Sequence, residues 1–134
     1  MTYGVWVILG LGLLGCGSDA DDAKRACLDP SRLVDASVPL PESAAEVQSQ
    51  CLAAGLPAHD CDPANFISQA QAECIVRASN PPEGEWRVSL VFAAVTRRPI
   101  WNVRIDVSGP NAEHFGVDAI TGDIVRRSTS TSVA

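Results

Sequence analysis

Alternation of apolar and polar residues predicts β-strands in the second half of the chain. Apolar side chains occupy every second position over residues 86–92, 101–107 and 115–119. A period of two places these side chains on one face of half-buried antiparallel strands. The connections at residues 96–99 and 108–111 have the length and composition of a hairpin and a turn, so we expect neighbouring strands to pair.

The chain turns once more after the third strand. Thr121-Gly122-Asp123 has turn composition, and Ile124-Val125 can add a short final strand. Residues 128–134 are polar and are expected to form a flexible tail. The pattern therefore predicts an antiparallel sheet of three to four strands.

Apolar and small residues recur at intervals of three and four before the strands, which is typical of helices. The first such stripe comprises Ala44, Val47, Cys51 and Ala54. It predicts a helix over residues 44–54, and Gly55 is a natural C-terminal cap. Ser43 and Glu46 have the spacing of a capping box, in which each side chain accepts a hydrogen bond from the other residue's backbone N–H.

A second helix is predicted over residues 68–78. Its apolar and small stripe comprises Ala72, Ile75, Val76 and Ser79. Ser68 and Gln71 again have capping-box spacing, and Ile67 is placed to contact Ala72 as a hydrophobic staple. The fold class is thus α+β: one main helix on a small antiparallel sheet, with a disulfide-stapled helical segment on its N-terminal side.

Residues 5–14 are almost continuously apolar. A bilayer core needs about 20 such residues, so this run fits the central region of a secretory signal better than a membrane span. The run ends in Leu13-Leu14-Gly15-Cys16, which resembles the lipobox of bacterial lipoproteins. That resemblance implies removal of residues 1–15 and lipidation of Cys16. The alternative is a buried N-terminal helix that happens to carry a cysteine.

The remaining cysteines are Cys27, Cys51, Cys61 and Cys74. An even number in an exported chain predicts two disulfides, with three possible pairings. Cys74 points away from the stripe of its helix, so its partner should lie on the outer side, where the N-terminal segment would be stapled. Cys51–Cys74 is the favoured pair. A zinc site is the alternative, but the close C-x-x-C spacing is missing, and we interpret the acidic residues around His59 as a solvated loop.

The formal charge is −6, from 10 basic and 16 acidic residues. This balance excludes electrostatic nucleic-acid binding, which needs clustered Lys and Arg. Residues 16–64 carry three basic and nine acidic residues, whereas residues 65–134 carry seven of each. The acidity therefore belongs to a predicted irregular tether over residues 16–42 and to a covering segment over residues 43–61.

Residues 62–127 resemble a PepSY domain. The matching motifs are Ile67-Ser68-x-x-Gln71-Ala72 in the helix, Trp101-x-Val103 in the hairpin, and Val117-Asp118-Ala119-x-Thr121-Gly122 in the closing turn. The resemblance implies a helix packed across a small antiparallel sheet, and a role in binding peptidases and restraining them near the cell surface. Asp118, Thr121 and Gly122 also have a local interpretation, as residues that fix a tight turn.

The sequence holds no catalytic motif, and we expect a protein that is not an enzyme and that needs no cofactor or metal. Candidate partner contacts are Trp86, Trp101, Arg97 and Arg98, because Trp is enriched at interfaces and an Arg pair at a hairpin tip can meet an acidic partner. The competing interpretations are core packing for the two Trp and solvation for the two Arg.

Two functions follow from the sequence. The first is a lipid-anchored binding module that docks on a peptidase or another envelope protein, attached to the membrane through Cys16. The second is a structural or accessory envelope lipoprotein without a peptidase partner. Gly17 after the lipidated cysteine, rather than Asp, favours the outer membrane and periplasm by resemblance to known lipoproteins.

Overall fold

The computed structural model describes residues 19–29 and 40–131. The predicted signal peptide and Cys16 lie outside the described residues. The helices are α1 (Asp19–Leu28), α2 (Ala44–Ala53), α3 (Ala58–Cys61), a 3₁₀ turn (Pro63–Asn65) and α4 (Gln69–Arg77). The strands are β1 (Glu85–Ala93), β2 (Arg98–Asp106), β3 (Asn111–Asp118) and β4 (Ile124–Thr131).

The four strands form one antiparallel sheet in the order β1-β2-β3-β4, each joined to the next in sequence. This confirms the α+β fold class. Helices α2 and α4 pack on one face of the sheet. The core between them is formed by ten residues that are each at most 5% exposed: Val47, Ala72, Ile75, Val76, Leu90, Trp101, Val103, Ile105, Phe115 and Val117. The strand members of this set are the alternate positions that the period of two predicts.

Helix α4 begins as the sequence predicts. The Gln71 backbone N–H donates to Ser68 Oγ at 3.1 Å, and the Ser68 N–H donates to Gln71 Oε1 at 2.7 Å. Just before it, the Ile67 N–H donates to the Ala119 carbonyl at 2.8 Å, and Trp101 Nε1 donates to the Ile67 carbonyl at 2.9 Å. The helix start is therefore hydrogen-bonded to two strand regions as well as capped.

Helix α2 agrees with the prediction at its end but not at its start. Gly55, at φ +89°, donates to the Leu52 carbonyl, and Leu56 donates to the Cys51 carbonyl, which is a Schellman ending. The predicted Ser43 capping box is wrong. Ser43 has a helical backbone, and its hydroxyl donates to the Leu90 carbonyl at 3.0 Å, so a tertiary partner on β1 takes the side chain.

The disulfides are Cys27–Cys74 and Cys51–Cys61. The favoured Cys51–Cys74 pair is wrong. The segment around His59, expected to be a solvated loop, forms the single-turn helix α3, which places Cys61 against Cys51. Cys74 does lie opposite the buried stripe of α4, and its partner is in the N-terminal segment, as its position on the helix predicts.

Two segments predicted to be irregular are regular. Residues 19–28, assigned to the tether, form α1, which is held by its disulfide to α4 and by the Lys24–Asp123 ion pair. Residues 128–131, assigned to the tail, belong to β4 and pair with residues 111–114 of β3. Residues 128–131 have no apolar alternation and are held by backbone pairing to β3, whereas α1 is held by the buried Cys27 and its disulfide.

Removing each disulfide by paired Cys→Ala substitution should cost more stability for the longer of the two closed loops, because loop-closure entropy grows with the logarithm of loop length. Cys27 and Cys74 are 47 residues apart, and Cys51 and Cys61 are 10 apart. Loop-closure entropy gives about 4 kcal/mol for the first pair and about 3 kcal/mol for the second. Urea unfolding of the two double variants checks this order. A larger loss from the shorter loop would contradict it.

Candidate functional site

The predicted turn signature is a dense hydrogen-bonded cluster at the β3–β4 turn. Asp118 Oδ1 accepts from the N–H groups of Ile120 at 2.8 Å and Thr121 at 3.1 Å. Arg98 donates from Nε to Asp118 Oδ2 at 2.9 Å and from Nη2 to Oδ1 at 3.3 Å. The Asp118 side chain is only 6% exposed, and this hydrogen bond raises the pKa of Arg98. The carboxylate is fully engaged within the fold, which makes it a structural group.

The turn also contacts both α1 and α4, through Gly122. Gly122 adopts φ +80°, and its N–H donates to the Asp118 carbonyl at 2.8 Å. A Cβ at Gly122 would lie 3.3 Å from Ile75 Cδ1 and 3.3 Å from Leu28 Cδ1, so the two helices approach the turn closely. Thr121 Oγ1 accepts from the Asp123 N–H at 3.2 Å. These contacts agree with the interpretation of the motif as a folding device.

The turn also pairs electrostatically with α1. Lys24 Nζ donates to Asp123 Oδ1 at 2.6 Å, and both side chains are partly exposed. The hydrogen bond from Lys24 is the main cause that lowers the pKa of Asp123. Together with the Cys27–Cys74 bond, this contact fixes α1 against the turn.

The four candidate partner contacts do not form one surface. Trp101 is 1% exposed and belongs to the core, and Arg98 is engaged by Asp118. Arg97, in a left-handed backbone conformation at φ +56°, donates from Nη2 to the Ala54 carbonyl at 2.6 Å, which ties the hairpin to the end of α2. Trp86 is half-buried with the Arg77 guanidinium 4.8 Å from its ring centroid. Structural contacts thus account for all four.

A groove on the opposite face of the sheet is the candidate binding site. None of the described helices packs on this face. The groove has a volume of about 720 Å³. It is lined by Val91, Ala93, Ala94, Val95, Thr96, Ile100, Asn102, His114, Gly116, Val125 and Arg126. We call this set the outer groove.

The outer groove is built by a glycine and a β-bulge. A Cβ at Gly116 would lie 3.2 Å from Arg126 Cβ and 3.3 Å from Ile100 Cγ2, so glycine keeps the floor open. Gly116 pairs with Arg126 and Val117 with Ile124, which leaves Val125 as the extra residue of a bulge. Val125 Cγ2 lies 3.8 Å from that same Cβ position, so the bulge puts Val125 on the groove side.

The sequence analysis missed this groove, although a signal was present. Val91 and Ile100 lie at positions where strict alternation calls for polar side chains, and they pair with each other across β1 and β2. Apolar residues therefore occur on both faces at this end of the sheet. Three of the large apolar side chains that the described fold leaves exposed line the groove: Val91 at 39%, Val95 at 97% and Val125 at 43%.

The two histidines make polar contacts on separate elements. Asn65 Nδ2 lies 3.2 Å from His59 Nδ1, and His114 Nε2 lies 2.9 Å from Ser130 Oγ. In residues 19–29 and 40–131, no three His, Cys, Asp or Glu side chains cluster as metal ligands would. Within the same ranges, no helix has the length and apolar character to cross a bilayer.

No protein-family model, curated protein or solved structure matches the chain. The PepSY and lipobox resemblances therefore stay predictions from the sequence.

Asp118→Asn should destabilise the fold by about 3 kcal/mol, since it removes a buried charge that pairs with Arg98 and replaces one acceptor oxygen by an NH₂ donor. Asp106→Asn is the matched control. Asp106 also binds arginines, Arg87 and Arg104, but its side chain is 26% exposed, so we expect a loss of at most about 1 kcal/mol. Urea unfolding of both variants checks the difference, and equal losses would contradict it.

Lys24→Met should raise the pKa of Asp123 toward the ordinary value. Because Lys24 lowers that pKa, the pair stabilises the fold above the pKa of an unfolded Asp, and the stabilisation is lost as the pH falls through the folded-state value. The variant should therefore be less stable near neutral pH, by no more than about 1 kcal/mol for such exposed groups, and equally stable in strong acid.

Carboxyl-carbon NMR titration and unfolding at several pH values measure both effects. Arg25→Met on the same helix is the control, because Arg25 faces Asp22 instead of Asp123. An Asp123 titration that is identical with and without Lys24 would rule out the pairing.

Proposed function

We propose that this protein is an exported, lipid-anchored binding module of the bacterial cell envelope, which docks a protein partner on the outer face of its sheet. The observation that carries the proposal is the outer groove. Soluble domains rarely leave adjoining aliphatic side chains exposed without a partner. Here Val91, Val95 and Val125 are exposed around one cavity, and the described helices all lie elsewhere.

Export and anchoring are supported by the sequence and by the cysteine pairing. The lipobox-like Leu13-Leu14-Gly15-Cys16 supplies the anchor, and two disulfides suit an oxidising compartment. Helix α1 begins at Asp19, three residues after Cys16. Three residues span at most about 10 Å, so an anchor on Cys16 would hold α1 close to the membrane surface. In this proposal the tether before the first helix is limited to residues 16–18, in place of the predicted 16–42.

The PepSY resemblance points to a peptidase as the partner. The chain would then restrain or position the peptidase at the cell envelope, and it would contribute binding instead of catalysis. The outer membrane facing the periplasm is the favoured location, given Gly17 after the anchor residue.

The second candidate is a structural or accessory envelope lipoprotein without a peptidase partner. One observation favours it: α2 is an integral part of the fold and not a removable cover. Ala44, Val47 and Cys51 are buried, and Arg97 and Leu90 hydrogen-bond to the two ends of the α2 segment. A helix that completes the core has a structural role whatever the chain binds.

Intact mass of the membrane-extracted chain tests export and anchoring. We expect loss of residues 1–15, gain of acyl groups on Cys16, and four cysteines oxidised in two bonds. Cys16→Ala should leave the protein out of the membrane fraction with its disulfides unchanged. A cytosolic chain with free thiols and its first 15 residues would contradict the proposal.

Site-specific photo-crosslinking in cells tests docking. A photoreactive residue at position 95 should capture a specific envelope protein, because Val95 lies on the groove and is 97% exposed. The same residue at position 52 is the control, since Leu52 is 47% exposed on α2, outside the groove. Equal capture at both positions would favour the structural alternative.

A further inference from the structure

We propose that the outer groove takes a short, extended peptide segment of a partner protein, with aliphatic side chains at one end and a carboxylate at the other. This rests on the proposed binding function and specifies the chemistry of its ligand. Aliphatic residues would pack on Val91 and Val95, and the carboxylate would bind the Arg126 guanidinium.

The length of the segment follows from the direction of the groove. Its lining comes from all four strands, from Val91 on β1 to Arg126 on β4. Three inter-strand spacings of about 4.8 Å give about 14 Å, which four or five residues of extended chain cover. On the floor between them, the Asn102 amide offers a donor and an acceptor to a peptide backbone.

The apolar end is set by the β1–β2 hairpin. Ala93, Ala94 and Val95 form this wall, and Val91 and Ile100 lie beneath it. Ile100 is 5% exposed although it is not part of the helix-side core, so the wall and its neighbours already exclude water from the floor. An aliphatic side chain of the ligand that binds here leaves water, and no polar side chain of this wall has to lose its hydration.

The charged end is set by Arg126. The other arginines on this face are engaged: Arg98 binds Asp118, and Arg87 and Arg104 share Asp106. Within the described residues Arg126 makes no ion pair, and it borders the groove beside Gly116. Because Arg126 has no carboxylate partner among the described residues and lies at the rim of an apolar groove, it is suited to bind a carboxylate of the ligand.

Charge also decides between this ligand and two other occupants. A second copy in a symmetric face-to-face dimer would bring both Arg126 side chains into one interface, where the groove lining offers no carboxylate to either of them. An anionic membrane is recognised by clusters of several unpaired basic residues, whereas among the described residues of this face Arg126 alone makes no ion pair. A single peptide carboxylate needs only this one arginine.

Photo-crosslinking of synthetic hexapeptides to the purified, oxidised full chain in detergent tests the inference. Each peptide is amidated at its C-terminus, carries two photoreactive leucines, and has Asp, Asn or Lys as its last residue. We expect the Asp peptide to label the groove residues about tenfold more than the Lys peptide, equivalent to one charge-assisted contact. Mass spectrometry of the labelled fragments locates the crosslinks.

Two variants and a control separate charge from apolar contact. Arg126→Gln should reduce labelling by the Asp peptide to the level of the Asn peptide. Val95→Ser, at a side chain that is 97% exposed and therefore harmless to the fold, should weaken all peptides severalfold. Arg87→Gln, on the same face but outside the groove, should change nothing.

Three results would overturn the inference: equal labelling by the Asp and Lys peptides, crosslinks between two copies of the chain that the peptides do not displace, or Arg126-dependent sedimentation of the Cys16→Ser chain with phosphatidylglycerol vesicles. The peptide assay needs neither export nor an anchor. A chain that fails the mass test but binds the Asp peptide therefore disproves the anchoring alone, and the reverse result disproves the groove chemistry alone.

Discussion

The buried carboxylate of Asp118 is the interaction on which most of the architecture depends. It joins the first residue of β2, through Arg98, to the turn that follows β3, through the Ile120 and Thr121 N–H groups. A carboxylate removed from water needs such a set of donors, because each unmet hydrogen bond would cost about 1–3 kcal/mol. The requirement fixes how the β3–β4 turn lies against the sheet.

The same turn is where the helices attach. Ala119 accepts from the Ile67 N–H just before α4, and a Cβ at Gly122 would lie only 3.3 Å from the side chains of Leu28 and Ile75. Asp123 then reaches α1 through Lys24. A turn held by Asp118 thus positions α4 and, through α4 and the Cys27–Cys74 bond, α1. Disturbing one buried charge is therefore expected to loosen both layers of the fold together.

The parts of this structure that the sequence predicts are those whose apolar residues have their own period. The spacing of apolar residues predicts the buried faces of β2, at Trp101 and Val103, and of α4, at Ile75 and Val76. The Ser68–Gln71 capping box predicts where α4 begins. Residues 128–131 of β4 lack such a period and are held by backbone pairing, and α1 is held by a disulfide whose pairing the sequence left open. The outer groove escaped prediction because it depends on a bulge register and on Gly116, and spacing along one strand reveals neither.

The proposed membrane anchor and the proposed ligand site lie on opposite faces of the sheet. Helix α1 packs on α4, and α4 packs on the face that Phe115 and Val117 line, so the segment that would lead to the membrane lies on the helix side. Val91 and Arg126 lie on the other side. An anchor on Cys16 and a ligand in the outer groove would therefore not compete for space. The anchor could stay short, because a partner that approaches the face without described helices does not have to pass between the domain and the bilayer.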